Sequence, residues 1–336
     1  MKEYEAAVSA QEAGDFAKAE KLFVKAQKVA QKAKNKKTEA MAWRRLGYIA
    51  QLRAHFDKAE DCYKKAVAIL KKAKEDSELC ATFQQYGMVA HKQGDFSLAR
   101  KRYSKALSYA EADEDGQKVA ACQHLLGMAA DDEGKFDEAK EWYKKSLSAK
   151  KEVGDLAGQA ATYHQLGQVA LKQNDYEAAY GYNEQSLALE EKLGNVEGQS
   201  SSLFQLAVLA ENLKKFEEAC SFYERALEIE RVSGDKRAIA RICGQLAMVA
   251  EKTKKFHKAM DWLVECLAMQ EGYPHPAGPY HLARLISVVG MNYMLKVWQQ
   301  KVGKPLPKEI RIPIERIFSQ AKVTQKKPDD TGGLFF

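Results

Sequence analysis

One short pattern recurs seven times along this chain of 336 residues, and successive copies are always 40 residues apart. In each copy two small or polar residues precede an aromatic residue, and an alanine follows three positions later. The aromatic residues are Phe16, Phe56, Phe96, Phe136, Tyr176, Phe216 and Phe256. Seven copies in one register, without insertion or deletion, indicate a tandem array of equivalent structural units.

Other positions keep the same register and indicate two helices in each unit. Before the aromatic, residues such as Leu126, Gly127 and Ala130 are spaced at i, i+1 and i+4, so they share one face of a helix, called helix A. After the aromatic, apolar and small residues continue at helical spacing and form one stripe of a second helix, helix B. Each unit is therefore predicted to be a helical hairpin, which must stack on its neighbours to bury these faces.

Turn residues support the same division. Gly14, Gly94 and Gly134 are predicted to end helix A in the left-handed conformation that glycine tolerates. Between units, a glycine followed by Asp or Asn is predicted to end helix B and cap the next helix A. These pairs are Gly154-Asp155, Gly194-Asn195 and Gly234-Asp235.

The pattern resembles that of the tetratricopeptide repeat. The matching residues in the second unit are Trp43, Leu46, Gly47, Ala50, Phe56, Ala59, Tyr63, Ala66 and Val67. The resemblance implies an all-α fold, a right-handed superhelical solenoid of seven hairpins. The 40-residue period is similar to that of spindle-orientation adaptors, kinesin light chains and bacterial peptide-pheromone receptors. The chain departs from the usual repeat in its longer period and in lacking the proline that closes each unit.

Three regions are predicted along the chain. Residues 1–272 hold the seven units, and residues 273–302 hold a Pro/Gly-rich break and a capping helix over His281–Val302 with Leu282, Leu285, Ile286, Val289, Leu295 and Trp298 on its apolar face. Residues 303–336 form a basic, Pro-containing tail that ends in Gly-Gly-Leu-Phe-Phe. We expect Leu334, Phe335 and Phe336 to dock on this chain, on a second copy or on a partner, because exposed apolar residues favour association.

The resemblance places a peptide-binding groove on the concave face, which the A helices line. Glutamine occupies one repeat position in four units, at Gln85, Gln165, Gln205 and Gln245, and these are candidate groove residues. Their side-chain amides can both donate and accept hydrogen bonds. Adaptable apolar contacts are expected from Met88, Met128 and Met248. The other candidates are Arg44, Arg45, Tyr48, Gln84, His91, His124, His164, Gln168 and Phe204. A charge gradient from Arg44 and Arg45 to Glu211 and Glu251 could orient a bound segment.

The sequence contains no catalytic signature, so no enzyme activity and no cofactor are predicted. The six cysteines are far apart and form no CxxC pair, which disfavours a metal or redox motif. His124 and His164 lie one repeat apart, but a metal site needs further converging ligands, so polar groove residues are the simpler interpretation. Asp131 and Asp132 are interpreted as solvated side chains.

The leading hypothesis is therefore a cytoplasmic, non-enzymatic adaptor that binds a peptide or protein segment. The alternative is a helical repeat that binds nucleic acid, because residues 1–72 hold 17 Lys and Arg against 9 Asp and Glu, and the tail is also basic. A second copy of the chain is a further candidate partner, through the cap helix or the tail. No membrane span is expected, since Arg284, Asn292 and Lys296 interrupt the most apolar stretch.

Overall fold

The computed structural model describes residues 2–269, 278–308, 310–312 and 314–316, and no residue in these ranges is in a β-strand. The chain divides into two compact units, residues 1–189 and 190–336. The predicted all-α class of stacked helical hairpins is confirmed.

In the first unit, each A helix pairs with the B helix that follows it. The helices are α1 (Lys2–Glu12), α2 (Phe16–Lys32), α3 (Lys36–Leu52), α4 (Phe56–Ala73), α5 (Asp76–Lys92), α6 (Phe96–Ala112), α7 (Gly116–Asp132), α8 (Phe136–Glu152) and α9 (Leu156–Lys172). Odd-numbered helices are A helices, and even-numbered ones are B helices. The last B helix, α10 (Tyr176–Leu193), extends across the boundary between the units.

The second unit contains two more hairpins and the C-terminal helices. These are α11 (Val196–Asn212), α12 (Phe216–Ser233), α13 (Lys236–Lys252), α14 (Phe256–Met269), α15 (Gly278–Val289) and α16 (Met291–Val302).

The predicted turns are confirmed in detail. Gly134 and Gly154 have φ values of +80° and +72°, and the Asp155 side chain accepts a hydrogen bond from the backbone N–H of Gly158 at 2.8 Å. The same left-handed turn forms where glycine is missing, as at Ala54 and Lys214, whose φ values are +57° and +60°. The register therefore determines the turn conformation even at positions where it is strained for the residue present.

Large aromatic side chains from the B helices fill the space between paired helices. Phe23, Tyr63, Tyr103, Tyr143 and Tyr223 are completely buried. Tyr63, Tyr103 and Tyr143 each pack against the glycine of the preceding A helix, where a larger residue would collide with the ring. The cores of both units consist of such aromatics together with Ala and Leu.

The prediction of one continuous cap helix over His281–Val302 is wrong. Gly290, with a φ of +89°, separates α15 from α16. This break changes which residues of α16 are turned inward: Met294 is completely buried, whereas Leu295, predicted to be on the apolar face, is 43% exposed. The two helices nevertheless cover α13 and α14, since Leu285 and Trp298 belong to the same core cluster as Ala247 and Leu263.

The predicted docking of Leu334, Phe335 and Phe336 lies outside the described residues. The described chain reaches residue 316, and Ile314 is buried in the core that the cap covers.

Candidate functional site

The candidate groove residues lie on the A helices of both units. In the first unit they lie on α3, α5, α7 and α9, which we call the A-helix face of the first unit; α3 contacts α5, and α5 contacts α7. In the second unit, α11 carries Phe204 and Gln205, and α13 carries Gln245 and Met248. All of these side chains are half-buried except Met248, which is 44% exposed.

Buried tyrosine hydroxyls reach one polar position of the A helices. Tyr63 donates to Gln51 Oε1 at 3.2 Å, and Tyr223 donates to Glu211 Oε1 at 2.8 Å. In the third repeat, the hydroxyl of Tyr103 lies 3.4 Å from Nδ1 of His91. The sequence analysis did not predict this role for Gln51 and Glu211, although in these three repeats the polar residue precedes the tyrosine by 12 positions. His91 therefore contributes to the packing between helices.

In three repeats, the residue at this same position also forms an ion pair or a hydrogen bond with the next A helix. His91 Nε2 lies 2.6 Å from Asp132 Oδ2, Asp131 Oδ1 lies 2.7 Å from Lys172 Nζ, and Lys252 Nζ lies 2.8 Å from Glu211 Oε2. The interpretation of Asp131 as a solvated side chain is wrong, because only 7% of its side chain is exposed. A buried carboxylate requires a partner, and Lys172 of the following repeat supplies it.

The expected charge gradient is locally neutralised. Arg44 forms an ion pair with Glu78 at 2.9 Å, and Glu251 pairs with His281 at 2.5 Å and also with Arg284. Glu211 is occupied by Lys252, as described above. Three of the four charged residues that were expected to orient a bound segment, Arg44, Glu211 and Glu251, are therefore paired with other residues of their own unit.

His124 belongs to a buried polar cluster and shows no metal-ligand geometry. Its Nδ1 lies 3.5 Å from Thr162 Oγ1, which accepts a hydrogen bond from Lys150 Nζ at 2.8 Å. Burial, together with the nearby Lys150 cation, lowers the pKa of His124 to about 4, and burial lowers the pKa of Lys150 as well. His124 is thus neutral at pH 7. Within the described residues, no three His, Cys, Asp or Glu side chains converge as metal ligands would.

Gln84 is turned into the protein interior. Its Nε2 donates to Cys122 Sγ at 3.1 Å, and Cys80 Sγ lies 3.8 Å from the same sulfur. The hydrogen bond from Cys80, followed by the one from Gln84, lowers the pKa of the Cys122 thiol, whereas the same contact raises the pKa of Cys80. Gln84 is therefore partnered already, unlike its neighbour Gln85.

Two adjacent repeats hold polar atoms that the fold leaves unsatisfied. Oε1 of Gln85 and Nε of Arg45, at one repeat position, are buried and have no hydrogen-bond partner in the part of the chain that is described. Gln205, Gln168 and His164 do have contacts of their own within the chain. The predicted glutamine ladder is thus a set of half-buried amides in different environments.

In the second unit, Phe204 is stacked within the protein. Its ring centroid lies 5.5 Å from that of Tyr223, and the Arg241 guanidinium lies 4.2 Å from the ring centroid of Phe204. Met248 is the more accessible candidate in this unit.

The tetratricopeptide repeat family model matches four ranges of the chain, residues 2–72, 78–152, 132–192 and 198–272. The chain belongs to the tetratricopeptide repeat family. No curated protein matches the sequence.

Solved structures of other proteins share the fold. A signal transduction ATPase with numerous domains and a tetratricopeptide repeat sensor, from Pyrococcus horikoshii, has a TM-score of 0.64 at 16% identity, over 92% of this chain and 46% of that chain. The C-terminal part of a repeat-containing protein from Cytophaga hutchinsonii has a TM-score of 0.60 at 17% identity, over 83% of this chain and 99% of that chain. BtubC from P. vanneervenii has a TM-score of 0.60 at 20% identity, over 66% of this chain and 91% of that chain.

Among the described helices of this tetratricopeptide repeat protein, none is long and apolar enough to span a membrane.

Proposed function

We propose that this tetratricopeptide repeat protein is a non-enzymatic cytoplasmic adaptor that binds a peptide or an extended protein segment on its A-helix face. The repeat family is typical of protein-interaction scaffolds. The observation that carries the proposal is a pair of methionines, Met88 and Met128, at the same repeat position of the contacting helices α5 and α7. Both are half-buried and so offer apolar surface beside polar amides.

Methionine suits this role because its flexible, polarisable side chain adapts to different ligands. Met88 also has a weak contact with the protein, since the Tyr103 hydroxyl donates to its sulfur at 3.9 Å. Glutamine amides such as Gln85 and Gln165 could then bond to the backbone of the segment, which would provide affinity without reading its sequence.

The internal contacts narrow the set of binding residues. Gln84, His91 and His124 have hydrogen-bonding or close polar partners inside the first unit, so we expect them to hold the surface in place rather than to bind the ligand. Tyr48, Met88, Met128 and Gln165 remain the principal candidates, with Met248 in the second unit.

Site-specific photo-cross-linking in living cells tests the proposal. A photoreactive phenylalanine analogue replaces Met128 on the A-helix face or, as a control, the exposed Ser148 on helix α8. We expect a partner protein to be cross-linked from position 128 and not from position 148. A partner that is cross-linked only from position 148 would place binding on the B helices and contradict the proposal.

A substitution measures the contribution of the amides. Gln165→Ala should lower the affinity for the cross-linked partner by about 2- to 12-fold, because one hydrogen bond contributes about 0.5–1.5 kcal/mol. The melting temperature of the variant shows whether the fold is intact. Unchanged affinity in a stable Gln165→Ala protein would exclude the glutamine from binding.

A further inference from the structure

The positive charge of the chain is concentrated on the B helices of its first four repeats. Helices α2, α4, α6 and α8 contain 19 Lys and Arg against 9 Asp and Glu, an excess larger than the net charge of +7 of the whole chain. The A helices α1, α3, α5, α7 and α9 contain 8 of each. The basic character is therefore a property of one set of helices in the first unit.

The later B helices carry the opposite charge. Helix α10 holds one basic residue against four acidic ones, and α12 holds two against five. Because the repeats are otherwise equivalent, the fold does not require lysine at these positions. Packing therefore does not explain the difference in charge between the first four B helices and the later ones.

Four of the lysines occupy one position of the repeat. Lys25, Lys65, Lys105 and Lys145 are 40 residues apart, one on each of α2, α4, α6 and α8, and all four are exposed. We call them the lysine ladder. Equivalent residues of stacked repeats lie on the same side of the stack, so the ladder presents one cation per repeat along its length.

Aromatic rings lie beneath three of these cations. The distance from Nζ to a ring centroid is 4.6 Å for Lys65 over Trp43, 5.7 Å for Lys105 over Phe83 and 4.4 Å for Lys145 over Trp142. Such cation–π contacts hold the side chains near the helix surface and reduce the entropy that a binding partner would have to remove.

Two lysines of the ladder pair with acids, Lys65 with Asp61 one turn away and Lys25 with Glu3 on helix α1, but these pairs are at least partly exposed and weak. Lys65 Nζ lies 2.6 Å from Asp61 Oδ2, with 47% and 61% of the two side chains exposed, and Lys25 lies 3.9 Å from Glu3. Exposed pairs of this kind contribute little and can exchange partners.

We infer that the lysine ladder is a binding surface for the phosphate backbone of a nucleic acid. Two observations favour nucleic acid over an acidic protein. Lysine is depleted in protein–protein interfaces, whereas protein–nucleic acid interfaces are strongly positive. The surface also lacks an apolar anchor, since Val24 and Val29, both on α2, are the large apolar side chains that are exposed on these four helices, which are described in full.

The ladder itself consists of lysines, which bind phosphates, so we expect binding that is independent of sequence and dominated by counterion release. This surface is separate from the A-helix face, and the inference does not depend on the proposed adaptor function.

Fluorescence anisotropy with the full chain tests the inference. The probes are a labelled 30-nucleotide oligothymidine and a labelled 30-base-pair DNA duplex of random sequence, at NaCl concentrations from about 50 to 300 mM. The ladder variant carries Lys25→Gln, Lys65→Gln, Lys105→Gln and Lys145→Gln. The matched control loses the same charge from turns and helix ends, through Lys34→Gln, Lys74→Gln, Lys92→Gln and Lys214→Gln.

The natural chain should bind both probes at low salt, with affinity that falls steeply as salt increases. The ladder variant should reduce the slope of log K against log salt for the single strand by about 3, since each lost phosphate contact contributes about 0.7, and should bind at least about 10-fold more weakly. The control should change affinity by less than about 3-fold. Circular dichroism and melting temperatures establish that both variants are folded.

Three results would overturn the inference. One is the absence of binding at about 50 mM salt. Another is equal weakening in the ladder variant and the control, which would reflect net charge alone. The third is displacement of the oligonucleotide by polyglutamate of equal charge at a lower concentration than by unlabelled oligonucleotide, which would assign the ladder to an acidic protein.

Discussion

A Cβ atom at Gly127 would lie 2.7 Å from Cδ1 of Tyr143 and 2.8 Å from Cε1 of the same ring. The tyrosine is completely buried, and its ring rests directly on the glycine backbone of the preceding helix. Gly87 and Tyr103 repeat the arrangement, with a Cβ–Cδ1 distance of 2.5 Å. The glycine of helix A and the tyrosine of helix B are therefore one packing unit, in which the missing side chain makes room for the ring.

Gly127→Leu should destabilise the protein by about 1–3 kcal/mol, because a buried ring and a new side chain would compete for one space. Chemical denaturation monitored by circular dichroism measures the change. Gly181→Ala is the matched control: a Cβ there meets no atom within 4 Å, and the residue lies inside helix α10. That substitution should stabilise the protein by about 0.5–1 kcal/mol. Equal stability of the Gly127→Leu and natural proteins would contradict the packing described.

His124 should make stability depend on pH. Burial lowers its pKa to about 4 in the folded protein, whereas the unfolded side chain titrates near about 6.5. As the pH falls from about 6.5 to 4, the unfolded chain takes up the proton first, so the folded state loses about 1–3 kcal/mol of stability. Above about pH 6.5 the group is neutral in both states and has no effect.

Denaturation curves of the natural protein and of His124→Gln at pH 7.5 and pH 4.5 test this expectation. The variant should lose less stability between the two pH values than the natural protein does. Identical losses would mean that His124 is protonated in the folded state.

Asp131 and Lys172 should be energetically coupled across the fourth and fifth repeats. The carboxylate is buried, and its Oδ1 lies 2.7 Å from Lys172 Nζ. A double-mutant cycle with Asp131→Asn and Lys172→Gln should give a coupling energy of about 1 kcal/mol. Lys144→Gln removes an exposed pair with Glu141 and should have almost no effect on stability. A coupling energy near zero would mean that the pair is as weak as the exposed one.

Cys220 should be the thiol that reacts first in the folded protein. The other five cysteines, Cys62, Cys80, Cys122, Cys243 and Cys266, are buried, while Cys220 is half-buried. Partial burial raises the pKa of the Cys220 thiol, so its reaction with a disulfide reagent should be slow at pH 7 and faster at pH 9. The expected yield is one equivalent per native chain, absent in Cys220→Ser. Several equivalents reacting at one rate would indicate that the helices open together.

The turns and the packing unit were predictable because both depend on local sequence. The pair Gly154-Asp155 predicts the end of one helix and the N-terminal cap of the next. The 40-residue register aligns Gly127 with the equivalent residues of the other repeats. The break at Gly290 was not predictable in the same way, since an isolated glycine is tolerated within many helices. Whether the chain bends there depends on packing against α13 and α14, which are distant in sequence. The bend also leaves Leu295 exposed.

The site was less predictable than the fold. Repeat positions located the A-helix residues, but which of them remain available depends on contacts between repeats. Gln84 and Gln85 are adjacent and chemically identical, yet the first donates to the thiol of Cys122, 38 residues away. The sequence predicted a solvated Asp131, whereas in the structure Asp131 pairs with Lys172 of the next repeat. Such pairs are 36 to 41 residues apart, and no local pattern distinguishes them from unpaired side chains.

Methyl NMR of protein labelled with [13C-methyl]methionine tests the central claim, that a protein segment binds on the A-helix face, most directly. Met88 and Met128 report on this face in the first unit, and Met260 and Met294, which are completely buried in the second unit, serve as internal references. A peptide from the cross-linked partner should shift the Met88 and Met128 signals while those of Met260 and Met294 stay in place. A peptide that binds with all four signals unchanged would contradict binding on the A-helix face.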